Sequence, residues 1–215
     1  MSQTFADIAI VGAGGLGKET AVLIDQINRH TKTWNLIGFF DDGIKVGNTV
    51  LSIPVLGGIK DLNEHTEPLH VIIAIGDPGT KAQLVSRLIN TSFTFPVLIH
   101  PTAVIGQQVV LEEGSMITAG CVLTADIRIG KHVLINLNST IGHDVTLGDY
   151  SSVMPGAHIS GAVEVGKRVF IGTGVSVLQH VSIHEDAVIG AGAVVTKSIM
   201  APQTVVGIPA RPLKK

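Results

Sequence analysis

Every sixth residue from Ile105 to Val195 is Ile, Leu or Val, without interruption over sixteen repeats. The residue four positions later is small or β-branched throughout, from Val109 to Ile199. A period of six fits neither an amphipathic helix nor an alternating strand. It fits a solenoid in which each hexad supplies one short strand and a turn, and in which three hexads close one coil. The pattern predicts about five triangular coils with inward aliphatic side chains.

Glycine often follows the aliphatic residue of a hexad directly, as at Gly106, Gly130, Gly142, Gly148, Gly166, Gly172 and Gly190. Sharp bends between the faces of a solenoid favour glycine, because a positive φ is cheap only without a Cβ. We therefore expect positive φ at these positions. Cys121, the one cysteine, falls on the small inward position of its hexad, so we expect a buried apolar filler rather than a nucleophile.

The first hundred residues lack the hexad and alternate strand-like and helix-like segments, which is typical of a small parallel α/β sheet. The pattern predicts strands at Ile8–Val11, Leu36–Phe40, Val71–Ile75 and near Phe95–Ile99, and helices at Lys18–Arg29 and near Lys81–Leu88. We therefore expect two domains, an α/β domain over residues 1–97 and a β-helix with a C-terminal cap over residues 98–215.

A glycine-rich loop, Gly12–Gly17 (GAGGLG), lies between the first predicted strand and the first predicted helix. With Asp41 and Asp42 after the second strand, it matches the Rossmann dinucleotide fingerprint, although this domain is only half a Rossmann fold in size. Glu19 stands where a phosphate loop needs Ser or Thr for magnesium. We interpret the loop as a diphosphate cradle of backbone N–H groups; the alternative is a turn whose glycines serve packing alone.

The tandem hexads end in Val205–Arg211 (VVGIPAR) and resemble the hexapeptide-repeat acyltransferases, whose fold is a left-handed parallel β-helix and usually a trimer. With an α/β half-domain ahead of it, the chain looks like the group of sialic acid O-acetyltransferases and nucleotide-amino-sugar N-acetyltransferases. The resemblance covers nearly the whole chain. It includes the glycine loop, Asp41-Asp42, Ala74–Asp77, His100-Pro101 and His143-Asp144.

The resemblance implies a homotrimer with active sites between neighbouring subunits, acetyl-CoA as the acyl donor, and a first domain that binds a nucleotide-linked amino sugar. The substrate-binding residues it implies are Gly14, Gly15, Leu16, Asp41, Asp42 and Gly76. We predict an N-acetyltransferase of surface polysaccharide synthesis. An O-acetyltransferase for sialic acid or a related sugar stays open, as does a non-catalytic scaffold that binds a nucleotide sugar.

His143 stands out among the nine histidines because Asp144 follows it directly. A carboxylate beside an imidazole holds one tautomer and favours proton uptake by the other nitrogen, as a general base requires. The pair matches the catalytic histidine and acidic residue of the amino-sugar acetyltransferases. The resemblance implies that His143 accepts the amine proton in a direct transfer, that Asp144 tunes it, and that the Gly161 N–H, one coil away, stabilises the oxyanion.

The chain departs from the group at the coenzyme site, because Ser152 stands where members often carry a second histidine, nine residues after the base. We expect the coenzyme to be held around this position mainly by backbone groups and one lysine. The predicted cofactor-binding residues are Ser152, Gly161, Thr173, Ala191 and Lys197. The remaining solenoid histidines after His100, which are His132, His158, His180 and His184, fall at turn or outward positions where we expect no shared partner.

Charge and composition argue against several other classes of protein. The net charge is -2 and no Lys/Arg run is present, which argues against nucleic acid as a partner. No apolar stretch reaches membrane-spanning length and Met1–Asp7 is no signal-peptide start, so we expect no membrane insertion and a cytoplasmic location. Zinc hydratases also use a solenoid, but no two solenoid histidines here have the spacing that stacked coils need, so we expect no metal.

Overall fold

A computed structural model of the chain describes residues 5–213, which divide into two compact units. The first unit holds residues 5–76 and 80–96, and the second holds residues 77–79 and 97–213. No helix within residues 5–213 combines the length and the apolar character that a membrane span requires.

The first unit is built on a six-stranded sheet with the strand order β3-β4-β2-β1-β5-β6. Its strands are β1 (Ala6–Val11), β2 (Trp34–Phe40), β3 (Thr49–Val50), β4 (Ile53–Gly57), β5 (Leu69–Ile73) and β6 (Phe93–Thr94). The helices are α1 (Gly15–His30), α2 (Ile59–Asn63) and α3 (Pro78–Arg87), of which residues 80–87 belong to this unit. All neighbouring strands are parallel except the antiparallel β3–β4 pair. The predicted parallel α/β region is therefore confirmed.

Two details of the first unit differ from the sequence-based prediction. The β3–β4 hairpin and α2 were not predicted, because elements of two to five residues are too short to show a hydrophobic period. The predicted strand near Phe95–Ile99 is wrong. β6 ends at Thr94, while Leu98–Ile99 pairs with Met116–Ile117 as the first rung of the solenoid.

The second unit is a parallel β-solenoid with three faces, and strands on one face recur every eighteen residues. Face A holds Leu98–Ile99, Met116–Ile117, Leu134–Ile135, Ser152–Val153, Phe170–Ile171, Val188–Ile189 and Thr204–Val206, to which Arg211–Pro212 adds antiparallel. Face B holds Val104–Ile105, Val122–Leu123, Thr140–Ile141, His158–Ile159, Ser176–Val177 and Val194–Val195. Face C holds Val110–Leu111, Arg128–Ile129, Thr146–Leu147, Glu164–Val165 and Ser182–Ile183. The fold class expected from the hexads is confirmed.

The core of the solenoid consists of the two inward columns that the hexads predict. From Ile117 to Val195, every hexad aliphatic residue is at most 4% exposed. Each such side chain stabilises the coil stack by burying apolar area, at roughly 25 cal/mol per Å². The inward serines satisfy their hydroxyls inside the core, as Ser151 Oγ donates to the Gly166 carbonyl oxygen over 2.9 Å. Cys121 is fully buried as predicted, and burial raises the pKa of its thiol.

The predicted reason for the glycines that follow the hexad aliphatics is wrong. Positive φ occurs at every sixth residue from Gln108 to Gly192, and ten of these fifteen residues are not glycine. The glycines after the aliphatic residues lie outside that set and are needed for close approach between coils instead. A Cβ on Gly106 would lie 1.6 Å from the carbonyl oxygen of Thr124 in the next coil.

Candidate active site

His143 and Asp144 form a side-chain pair at the corner between faces B and C. His143 Nδ1 lies 2.7 Å from Asp144 Oδ2, and the two side chains are 68% and 61% exposed. Asp144 is one of the positive-φ corner residues, with φ of 61°. An Asp tolerates this conformation better than most residues. Because Nδ1 faces the carboxylate, Nε2 is the ring nitrogen that remains for a further contact.

Gly161 lies against the His143 ring from the next coil. The Ala162 N–H donates to the His143 carbonyl oxygen over 2.8 Å, which fixes the two coils in register. An ideal Cβ on Gly161 would lie 2.5 Å from both Nε2 and Cε1 of His143. The imidazole therefore occupies space that any other residue at position 161 would need. The oxyanion role expected for the Gly161 N–H stays a prediction.

The predicted coenzyme residues do not converge within one chain. Lys197 is exposed and lies on the B–C corner, following the face B strand Val194–Val195. Thr173 and Ala191 lie instead on the A–B corner in consecutive coils, where the Gly192 N–H donates to the Thr173 carbonyl oxygen over 2.8 Å. Ser152 lies on face A and is fully buried. The coenzyme role of these residues stays a prediction.

The glycine loop of the first unit leads into the exposed N-terminus of α1. Gly14 is the N-cap of α1 and makes no side-chain cap hydrogen bond, and the first turn carries no acidic residue. Gly14 and Gly15 are exposed with no heavy atom within 4 Å of an ideal Cβ, and Leu16 is half-buried. The first N–H groups of a helix have no intrahelical partner and favour an anion. This end of α1 can therefore accept a phosphate.

The two aspartates predicted to bind substrate both have partners inside the first unit. Asp41 Oδ2 accepts a hydrogen bond from the Ala13 N–H over 2.8 Å, which ties the end of β2 to the glycine loop. Asp42 Oδ1 accepts from the Ile59 N–H, and Oδ2 accepts from Arg87, each over 2.8 Å. The Ile59 N–H and then the Arg87 guanidinium lower the pKa of Asp42. Sequence reasoning missed this internal role.

Gly76 lies beyond the carboxyl end of β5, the strand that neighbours β1 in the sheet. The Ala74 N–H donates to the Val11 carbonyl oxygen over 2.8 Å, so the segments leaving β5 and β1 start side by side. Ligands of open parallel sheets bind outside the carboxyl ends of the strands. The structure thus places the glycine loop, the two aspartates and Gly76 at this one edge.

The expectation that the remaining solenoid histidines share no partner stays a prediction, but several of them have contacts of their own; His184 Nδ1, for example, lies 2.8 Å from the Glu185 carbonyl oxygen. The His132 ring stacks on Tyr150, with centroids 5.5 Å apart and an interplanar angle of 6°. His158 Nδ1 lies 2.9 Å from the hydroxyl of Thr140 in the preceding coil. Each of the His132 and His158 contacts joins residues eighteen apart in neighbouring coils, which the hexad period could have revealed. No three His, Cys, Asp or Glu side chains within residues 5–213 cluster as a metal site would require.

Similarity to known proteins defines the class. Residues 7–88 match the PglD N-terminal domain family, and residues 162–197 match the family of bacterial transferase hexapeptide (six repeats). The acetyltransferase domain of PglB from Neisseria gonorrhoeae FA1090 is 31% identical with a TM-score of 0.88, over 96% of this chain and 99% of that chain. The chain belongs to the hexapeptide-repeat acetyltransferases with a PglD-type N-terminal domain. The family resemblance expected from the sequence is confirmed.

Some relatives were solved with bound ligands. PerB from Caulobacter crescentus, solved in complex with CoA and GDP-perosamine, is 30% identical with a TM-score of 0.85, and both chains are fully covered. The PglB domain was also solved in complex with acetyl coenzyme A. The UDP-N-acetylbacillosamine N-acetyltransferase of Bacillus subtilis (strain 168) is 35% identical over 115 residues. That match covers 53% of this chain and 51% of the relative, so the chain spans about half of the relative's length.

Proposed function

We propose that the protein is an acetyl-CoA-dependent N-acetyltransferase that acetylates the amino group of a nucleotide-linked amino sugar. The observation that carries this proposal is the exposed His143–Asp144 pair, with its 2.7 Å contact, in a chain that matches PerB over its full length. PerB was solved with CoA and a nucleotide-linked amino sugar. The pair supplies the base that such a transfer needs.

His143 acts as the general base in a direct transfer. The sugar amine attacks the thioester carbonyl carbon, a C–N bond forms, and His143 Nε2 accepts one proton from the amine nitrogen. The C–S bond then breaks, and the departing thiolate takes that proton to give free coenzyme thiol. Asp144 holds Nδ1 protonated, so that Nε2 carries the free lone pair. The acyl group passes from sulfur to nitrogen without an acyl-enzyme.

The coenzyme site is proposed to be shared by two subunits of a homotrimer. Thr173 and Ala191 lie on the A–B corner, whereas His143 and Gly161 lie on the B–C corner. A donor held along the A–B corner of one protomer would meet the base on the B–C corner of its neighbour. The Gly161 N–H then donates to the oxyanion that forms on the carbonyl oxygen.

The first unit is proposed to hold the nucleotide diphosphate. The open N–H groups of Gly14, Gly15 and Leu16 at the start of α1 bind the phosphates, because the helix dipole and the unpartnered donors both favour an anion. Asp41 shapes this loop through its hydrogen bond to the Ala13 N–H. Asp42 has a supporting role inside the first unit, since its two oxygens accept hydrogen bonds from the Ile59 N–H and the Arg87 guanidinium.

A substrate panel tests the proposal. UDP-, GDP- and dTDP-linked amino sugars are compared with CMP-linked and free sialic acid, and release of coenzyme thiol is the readout. We expect turnover with one nucleotide-linked amino sugar and a product whose acetyl group survives mild alkali, as an amide does. An alkali-labile acetyl ester would indicate an O-acetyltransferase. Binding of a nucleotide sugar with no thiol release from any member would indicate a scaffold.

A further inference from the structure

The corner position of His143 recurs once per coil, and its occupants show which residues the backbone accepts there. The column reads Gln107, Ala125, His143, Gly161, Gln179 and Lys197. Five of these six residues carry a side chain. Gly161 lies outside the positive-φ positions, so its backbone conformation does not require glycine. The absence of a Cβ at this position, in the coil that follows His143, therefore needs another explanation.

The imidazole of His143 explains why position 161 carries no Cβ. A Cβ at position 161 would lie 2.5 Å from Nε2, 2.5 Å from Cε1 and 3.0 Å from Cδ2 of His143. Ordinary van der Waals contact begins at 3.4 Å, so a methyl group would push the ring away by roughly 1 Å. Asp144 is fixed at a positive-φ corner and cannot follow the ring without moving the backbone. A displaced ring would therefore lose its contact with the carboxylate.

We propose that Gly161 is a positioning residue for His143: the absence of a Cβ forms the seat in which the imidazole lies against the next coil. The seat keeps Nδ1 on Asp144 and fixes the place of Nε2. Its effect on acetyl transfer rests on the proposed function of His143. The seat itself is a property of the free protein and can be measured without any substrate.

A double-mutant cycle in the free protein tests the seat. Gly161→Ala should lower the midpoint of thermal unfolding in the wild-type background, because the methyl group meets the ring. The same substitution should cost much less in H143A, where the ring is absent. The His143 ring signals in NMR spectra should shift in Gly161→Ala and stay unchanged in the control Gln179→Ala, which alters the same column one coil further on. Equal losses of stability in both backgrounds, or unchanged ring signals, would overturn the proposal.

Kinetics of the same variants separate positioning from coenzyme binding. A misplacement of about 1 Å should lower kcat by about 100-fold, with the KM values for donor and acceptor within about twofold of wild type. Gln179→Ala should keep wild-type kcat. A raised KM for acetyl-CoA with normal kcat would overturn positioning and identify a coenzyme contact. If the cycle shows coupling but H143A retains turnover, the seat stands and the base assignment in the proposed function fails.

Discussion

Two histidines occupy corners of the same solenoid, and their surroundings are opposite. The His143 side chain is 68% exposed and contacts the neighbouring Asp144 carboxylate. His132 is 4% exposed and stacks on Tyr150 in the next coil. Below it, a Cβ on Gly114 would lie 2.2 Å from His132 Nδ1. A histidine packed between coils on both sides contributes to the fold, whereas one that keeps an open side is available to a ligand.

Charged residues of the C–A corner form ion pairs between neighbouring coils. Residues Glu113, Lys131, Asp149, Lys167 and Glu185 follow one another at the coil spacing and alternate in sign. Lys131 Nζ lies 2.7 Å from Glu113 Oε1, and Lys167 Nζ lies 2.8 Å from Asp149 Oδ2. On this corner, charged side chains pair with opposite charges in neighbouring coils, along the axis of the solenoid. At the B–C corner, the His143–Asp144 pair is more than 60% exposed and joins two adjacent residues of one coil.

Replacing His143 should have the largest effect on turnover. We expect H143A to lower kcat by about 10² to 10⁴-fold, the range that general acid–base groups contribute. Its melting temperature and its affinity for the nucleotide sugar should stay close to wild type, because the side chain is exposed. The measurement is steady-state thiol release, with calorimetric titration of the sugar nucleotide. Wild-type turnover in H143A would refute the assignment of the base.

H132A is the matched control, and its effects should be the reverse. Loss of a buried ring and its stacking on Tyr150 should destabilise the solenoid by about 2 kcal/mol. The folded fraction should turn over at the wild-type rate. A large loss of kcat in folded H132A, with unchanged stability, would show that the exposure of a corner histidine does not distinguish chemistry from packing.

Removing the charge of Asp144 should lower turnover less than removing the His143 ring. Asn tolerates the positive φ of position 144, and its side-chain oxygen can still accept from Nδ1, so Asp144→Asn changes charge more than shape. We expect kcat to fall about tenfold with little change in KM. Asp126→Asn is the matched control, since Asp126 occupies the same corner one coil earlier with φ of 54°. Equal losses in both variants would point to a general electrostatic effect instead.

The sequence predicts the architecture of the solenoid well because its coil is a strict repeat. Each inward residue from Ile117 to Val195 is buried as the hexad requires. The hand of the coil does not follow from spacing and came only with the family resemblance. The role of the glycines was misjudged, because close approach to the next coil, as at Gly106, is a tertiary contact that a linear pattern does not show.

The candidate site was predictable only in part. The neighbours His143 and Asp144 could be found from the sequence because they are adjacent in the chain. Asp41 and Asp42 lie where the fingerprint expects them, but their hydrogen bonds to Ala13 and Ile59 depend on loop geometry. The coenzyme residues were predicted as one set, yet Thr173 and Lys197 lie on different corners of the coil. Only the three-sided cross-section separates them.

Acid should weaken the ion pairs of the C–A corner only slightly. Burial alone would raise the pKa of the Asp149 carboxyl, but hydrogen bonds from the Lys167 ammonium and the Lys131 N–H outweigh it and hold that pKa below its usual range. A carboxyl whose pKa is lower in the folded than in the unfolded chain, where it is about 3.9, stabilises the fold above roughly pH 4. That contribution is lost as the pH falls through the folded pKa.

Asp149→Asn should therefore lower stability by about 0.5–1 kcal/mol at pH 7, in the range of partly exposed ion pairs. The difference from wild type should shrink as the pH falls from 5 to 3. Thermal unfolding of both proteins across this series measures it. Asp25→Asn, which removes an exposed helical ion pair with Arg29 in the first unit, is the control and should change stability less at every pH. If the difference in stability between wild type and Asp149→Asn stays constant down to pH 3, packing rather than charge explains the contribution of Asp149. The two corners would then differ in exposure alone.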